Sequence, residues 1–281
     1  MEMLEIITGA TGTGKSALAL ERITQNPDIY ELVNADSMQI YRELSVGNNK
    51  GDLSVFGSTP IHLFDFISVA DSFSVAEYQR LARDVIAQIQ KRGKVPLLVG
   101  GSGMYIVATI YDYNLEGYKD LEKTKQKIVE TIGDDPDSLA EELKAFGFDL
   151  SVLNDSDRKN PRRLQNVLAK LRVGEESSLQ NSAKRIYEHV KITNLSEKFS
   201  PSFDFFLKRA RKMLDNGLLE ECKLLVYLQR RGKLSDQVAN ASGYRQVLEG
   251  CYTDQEELVN QIARSHFQLA KRQKKYLATK L

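Results

Sequence analysis

GATGTGKS, Gly9 to Ser16, follows the short apolar run LEIIT at residues 4–8 and opens the amphipathic run GKSALALERITQ at residues 14–25. The spacing is GxxxxGK[ST], and its place between a buried strand and a helix predicts a P-loop. Gly9, Gly12 and Gly14 permit a tight turn and the close approach of an anion. The backbone N–H groups of Gly9, Ala10, Thr11, Gly12, Thr13 and Gly14, with the helix terminus, supply donors, and Lys15 supplies charge. Ser16 offers a hydroxyl to Mg2+ or to a phosphate oxygen. A glycine loop kept only for turning is the alternative. The later β-rich run VPLLVGG, residues 95–101, ends in glycines and lacks the acid of a Walker-B strand. The cradle therefore suits a leaving diphosphate as well as a nucleotide.

Outward from the P-loop, YELVNAD at 30–36 reads as a second strand, and SFSVAEYQRLARDVIAQIQKRG at 72–93 as a helix with a hydroxyl cap and a glycine stop. Strand, helix, strand and helix in this order predict an α/β fold: a P-loop core with a mainly parallel sheet flanked by helices. The texture changes near YDYNLEGYKD, residues 111–120, into charged helical segments such as PDSLAEELKAFG and NPRRLQNVLAKL. This predicts a helical inserted domain at 118–189 between a first core part at 1–117 and a return to the core at 190–281. HVKITNL reads as the returning strand, and the remainder as long helices.

VNADSMQIY, residues 33–41, places Asp36, Ser37 and Gln39 at the exit of the second strand. In a parallel sheet that exit faces the P-loop mouth, where Asp36 can orient an incoming nucleophile and receive its proton. Capping of the next element is the other reading. Ser37 and Gln39 either touch the acceptor or stabilise the turn. GGSGMY adds Gly100, Gly101, Ser102 and Gly103 after another strand, a pattern that fits close approach to a ligand and fits a plain turn equally.

The formal net charge is +1 over 281 residues, so nothing global steers the chain to nucleic acid or membrane. The last 24 residues nevertheless hold six Lys or Arg and no acid, which suits either a polyanion or a solubilising face. Cys222 and Cys251 are far apart and form no CxxC pair, so free thiols and a reducing compartment are expected. No apolar run is long enough to span a bilayer and the acidic N-terminus lacks a signal-peptide pattern, so the cytoplasm is the expected location.

Taken together, GATGTGKS, NADSMQIY, TPIHLFDFI with SFSVAEYQRLA, and KVPLLVGGSGMYI resemble the tRNA dimethylallyltransferase family. NPRRLQNVLAKL, KRARKMLDNGLLEECKLL, GYRQVLEG and QLAKRQKKYL extend the resemblance over nearly the whole chain. It implies transfer of a dimethylallyl group from dimethylallyl diphosphate to N6 of the tRNA adenine next to the anticodon, with Mg2+, by a monomer. Lys15 and Ser16 then hold the diphosphate, Asp36 takes the N6 proton, and Ser102 stands where the family usually has threonine. The helical insertion becomes RNA-binding. Arg163 is either a clamp on diphosphate or RNA or an exposed ion pair, and Arg209, Lys271 and Arg272 are in the same way either RNA backbone contacts or structural helix residues. His62 matches a proline-histidine stretch and is either packing or substrate contact. The chain departs from the pattern at VGNNKGD, where Gly-Thr-Ala-Lys-Pro is common, at Asn166, and at Phe205, where an arginine is usual. Three alternatives stand beside this reading: prenylation of a free adenine nucleotide, a small-molecule P-loop kinase, and a non-catalytic RNA-binding P-loop protein.

Overall fold

The computed structural model describes residues 3–113, 115, 118–172 and 184–281. The chain divides into two compact units, residues 1–110 with 185–281, and residues 111–184.

The first unit is built on five parallel strands: β1 (Met3–Thr8), β2 (Tyr30–Asn34), β3 (Ile61–His62), β4 (Val95–Gly100) and β5 (His189–Asn194). Their order across the sheet is β3-β2-β4-β1-β5. The three inner strands are covered on both faces, so Leu4, Ile6, Ile7, Val33, Leu97 and Leu98 are wholly buried, and Glu5 and Glu31 are buried beside them. The strands at the two edges are a two-residue β3 and a half-buried β5, so neither presents a long apolar edge.

The helices follow in chain order as α1 (Lys15–Gln25), α2 (Val75–Lys91), α3 (Gly103–Ile110), α4 (Tyr118–Ile132), α5 (Pro136–Ala145), α6 (Asp155–Arg158), α7 (Pro161–Arg172), α8 (Phe203–Asp215), α9 (Leu218–Arg230), α10 (Asp236–Ala239), α11 (Tyr244–Glu249) and α12 (Gln255–Lys280). α1 lays Ala19 and Ile23 on Ile7, Leu32, Leu97 and Val99. α2 starts on a capping box, with Glu77 N donating to Ser74 Oγ at 3.1 Å and Ser74 N donating to Glu77 Oε2 at 2.8 Å. The helices from α8 onward close a second core around Ile40, Tyr41 and Leu44, the segment just beyond β2. That packing places α8, α9 and α12 beside the strand exits. Cys222 is buried, Cys251 is exposed, and both are free.

The second unit contains α4 to α7, with Ile128, Leu139, Leu143, Leu164 and Leu168 as its own core. Asp135 caps α5 by accepting from Ser138 N at 2.9 Å, with Pro136 at the first helical position. The second unit spans residues 111–184 beside the 118–189 read from texture, and β5 lies in the first unit as the returning strand. Ile186 N donates to Ile110 O at 3.0 Å, which ties both ends of the excursion into the first unit. Residues 116 and 117, at the expected boundary, lie outside the described residues. No helix among the described residues is long and apolar enough to cross a membrane.

Candidate active site

Parallel pairing brings the strand exits to one level. Thr8 is in register with Gly100 and with Asn194, and Asn34 with Val99. The P-loop after β1, the Asp36 turn after β2 and the GGSG cluster after β4 therefore leave the sheet side by side.

The Asp36 turn is wound around Asn34, a fully buried amide. Asn34 Oδ1 accepts from Asp36 N at 2.9 Å, while Nδ2 donates to Asp36 O at 3.0 Å and to Leu63 O at 2.9 Å. The Tyr78 hydroxyl of α2 donates to Asn34 O at 2.7 Å. Asp36 Oδ1 accepts from Met38 N at 3.0 Å, a bond within its own turn. The other oxygen has no hydrogen bond among the described residues. Ser37 N donates to Ser102 Oγ at 2.9 Å, and the two hydroxyls lie 3.2 Å apart. Ser102 thereby ties the GGSG cluster to the residue after Asp36.

In the P-loop, Gly12 and Gly14 have φ of 85° and 89°, which only glycine adopts without strain. Ala10 N donates to the buried Ser196 Oγ at 2.6 Å, and Lys15 Nζ folds back to Ala10 O at 3.0 Å. Arg209, from α8, donates through Nη1 to Thr11 Oγ1 at 3.0 Å, and its buried Nε has no hydrogen-bond partner among the described residues. That orphaned donor beside a P-loop fits an anionic oxygen. Burial lowers the Arg209 pKa, opposed by Asp36. Burial likewise lowers the Lys15 ammonium to about 8, with Asp36 pulling it up and Arg209 pushing it further down.

A pH dependence follows from Lys15. Below pH 8 the lysine is charged and ready for an anion; above it the empty site loses the proton, which an incoming anion must restore. Affinity for a diphosphate monoester is therefore expected to fall by about twofold from pH 7 to 8, then by up to about tenfold per pH unit through 9.5. Calorimetric titration checks this, and a level profile to pH 9.5 would remove Lys15 from the binding step.

The glycine cluster makes room mostly for protein. A Cβ on Gly100 would lie 2.0 Å from Ala35 O, and one on Gly103 would lie 2.4 Å from Tyr276 Cδ1 on α12. A Cβ on Gly101 would lie 2.9 Å from Gln273 Nε2 and 3.4 Å from Lys15 Nζ. α12 can therefore seat Gln273 over the P-loop, where its Oε1 accepts from Thr11 N at 2.8 Å.

Two cavities open at these exits. One of about 550 Å3 is lined by Ser37, Gly101, Ser102, Gly103, Arg272 and Gln273 among others. The second, of about 530 Å3, is lined by Lys15, Ser16, Gln39, Lys208 and Lys212 together with P-loop glycines. Thr11, Asp36, Asn48 and Arg209 line both. Gly100 borders a small recess with Lys15, Ser16, Asp36 and Gln39. Phe205, in the place usual for an arginine, sits against the P-loop, since a Cβ on Gly12 would lie 2.7 Å from its ring.

Three residues read from the sequence stand apart. His62 Nε2 lies 2.7 Å from Glu31 Oε2, a carboxylate also held by Arg92 at 2.7 Å, which is a structural network at the sheet edge. Lys271 lies outside both linings, with its ammonium 4.3 Å from the centre of the Phe267 ring. Arg163 belongs to the helical unit, where its Nε is 3.6 Å from Asp157 Oδ2, the ion-pair arrangement. Asn34, Asn48 and Gln273 were not singled out from sequence. All three stand inside quoted stretches, VNADSMQIY, VGNNKGD and QLAKRQKKYL, but their roles depend on partners that spacing does not reveal. His266 also lines the first cavity, and burial lowers its pKa to about 3, so it is neutral.

The family model of IPP transferase matches residues 39–280. A tRNA dimethylallyltransferase of Anoxybacillus flavithermus is 30% identical, with 97% of this chain and 86% of the relative covered. One of Staphylococcus aureus is also 30% identical, with 98% and 89% covered. Among solved structures, the full-length tRNA isopentenylpyrophosphate transferase of Bacillus halodurans aligns with a TM-score of 0.66 and 28% identity, covering 100% of this chain and 88% of that one. A eukaryotic dimethylallyltransferase acting on tRNA aligns with a TM-score of 0.77 over 97% of this chain and 69% of that one, and at 22% identity the likeness is one of fold. With the family model spanning most of its length and near-complete relatives at 30% identity, the chain belongs to the IPP transferase family.

Proposed function

We propose that the chain transfers a dimethylallyl group from dimethylallyl diphosphate to N6 of adenosine 37 in tRNA, releasing diphosphate. The observation that carries this reading is Asp36 in the wall common to the two cavities, with one carboxylate oxygen that takes no hydrogen bond among the described residues. The P-loop cavity takes the diphosphate, on backbone donors, Lys15 and Arg209. The other takes the adenine and the prenyl chain. As the allylic C–O bond breaks, its electron pair leaves with the diphosphate, and the N6 lone pair forms the new C–N bond. Asp36 receives the proton that N6 sheds, while Ser102 and Ser37 keep the turn in place. Drawing adenine 37 out of its stack costs a few kcal/mol, less in a single-stranded loop.

The described residues contain no cluster of three or more His, Cys, Asp or Glu that would hold a metal alone. The exposed Ser16 hydroxyl in the P-loop cavity fits Mg2+, an ion held largely by phosphate oxygens and water. Bound there, Mg2+ neutralises charge on the leaving diphosphate. The helical unit with Arg163, and Lys271 and Arg272 on α12, are proposed to meet the RNA backbone, which positions RNA without reading its bases. The reading includes a monomer working in the cytoplasm.

Purified protein given dimethylallyl diphosphate, Mg2+ and unmodified tRNA is expected to yield N6-prenyladenosine at position 37. Product with AMP and none with tRNA would move the acceptor to a free nucleotide. Donor bound but no modified base across tRNAs carrying adenine 37 would refute the transfer.

A further inference from the structure

We propose that Glu221 is a positioning residue for prenyl transfer, acting through the loop at residues 45–49. The proposal rests on the prenyltransferase reading of the site. Glu221 lies on α9 and is absent from the lining of both cavities. Its Oε2 accepts from Ser45 N at 2.6 Å, Ser45 Oγ at 3.1 Å and Val46 N at 2.8 Å. Its Oε1 accepts from Gly47 N at 2.9 Å and from the Tyr244 hydroxyl at 2.8 Å. An ionised carboxylate offers about four lone-pair sites, so this one is saturated.

The clamp acts together with a steric stop. A Cβ on Gly47 would lie 2.5 Å from Tyr244 Cζ, so the loop is pressed to the ring that shares its carboxylate. Directly beyond, Asn48 lines both cavities and Asn49, at φ 53°, lines the P-loop cavity. The Asn48 amide donates to Met38 O at 2.9 Å and Leu44 O at 3.1 Å, and its Oδ1 accepts from Lys50 N at 3.0 Å. The wall between leaving group and acceptor thus hangs on Glu221 at one end and on the Asp36 turn at the other. Three of the five donors are backbone N–H groups, so the clamp works whatever side chains the loop carries. That accounts for a loop reading VGNNKGD keeping a defined course.

Holding this wall matters because an allylic cation reacts with any nearby nucleophile. With the loop loosened, water replaces N6: the allylic C–O bond of dimethylallyl diphosphate breaks, a new C–O bond forms to water, and diphosphate, a proton and the prenyl alcohol are released. The ratio of alcohol to prenylated tRNA is counted per turnover and does not depend on how much protein is folded. Glu221→Gln keeps the shape but turns an NH2 group towards donors. It is expected to raise that ratio about tenfold and to lower kcat on tRNA by about 10- to 100-fold, with diphosphate-ester affinity within about twofold of wild type. Ser45→Ala, at an exposed position, removes one donor only and is expected to raise the ratio about twofold. An unchanged ratio in both variants, or a rate loss matching only the folded fraction, would overturn the positioning role. A wild-type enzyme that binds the donor yet prenylates no tRNA would instead strike the reading of the site.

Discussion

Asp36→Asn is expected to slow prenyl transfer by about 10² to 10⁴-fold while the fold and the diphosphate site persist. Asparagine can keep the carbonyl oxygen that accepts from Met38 N, and Asn34 still holds the backbone of residue 36, so the turn survives. What goes is the oxygen able to receive the N6 proton. The charge goes too, and with it the pull that raises the Lys15 pKa against burial. The variant's diphosphate-ester affinity should therefore begin its alkaline fall at a lower pH than in wild type. Single-turnover transfer rates and the pH profile of binding test the two parts separately. A wild-type transfer rate would end the assignment of Asp36 as proton acceptor.

The residues that sequence made legible are those whose meaning is local. GATGTGKS needs only the strand before it and the helix after it, and Asp36 needs only its strand exit to be seen as a candidate. The apolar runs of β1, β2 and β4 announce buried parallel strands, whereas β3, two residues long, has no pattern to read. Texture places the helices α4 to α7 in the insertion, but it does not mark the irregular stretches that flank them, where the compact unit spans residues 111–184. The Ile186–Ile110 backbone bond joins the two ends of the first unit across that excursion. Asn34, Gln273 and Glu221 went unread for a related reason. Gln273 reaches a P-loop amide 262 residues away, and Glu221 holds a loop 174 to 176 residues away. No short motif carries such a pairing. Lys271 and Arg272 show the same limit on a finer scale, since adjacent basic residues in one motif face different surroundings.

Gly100→Ala is expected to damage stability and catalysis together, for a reason distinct from the P-loop glycines. Gly100 has no positive φ, so backbone conformation is not the issue. Its added Cβ would stand 2.0 Å from Ala35 O, 2.1 Å from Ala35 C and 2.7 Å from Ala35 Cα, all backbone atoms. Neither chain can retreat freely. Ala35 N donates to Val99 O at 2.8 Å, Ser102 N donates to Ala35 O at 3.1 Å, and Thr8 Oγ1 donates to Gly100 O at 3.0 Å. A shift large enough to admit a methyl group breaks part of this network, at a cost of about 3 kcal/mol or more. Ala35 also precedes Asp36, so the same shift carries the carboxylate off its line, and a misplacement of about 1 Å is worth about 10²-fold in rate. Gly103→Ala is the control. Its Cβ would meet side-chain atoms of Tyr276 and Leu277 and no backbone, so a smaller loss is expected. Urea denaturation midpoints and kcat per folded molecule separate the two effects. A Gly100→Ala protein with wild-type midpoint and rate would show that the β2 and β4 exits have slack, and the precise seating of Asp36 would then have to come from Asn34 alone.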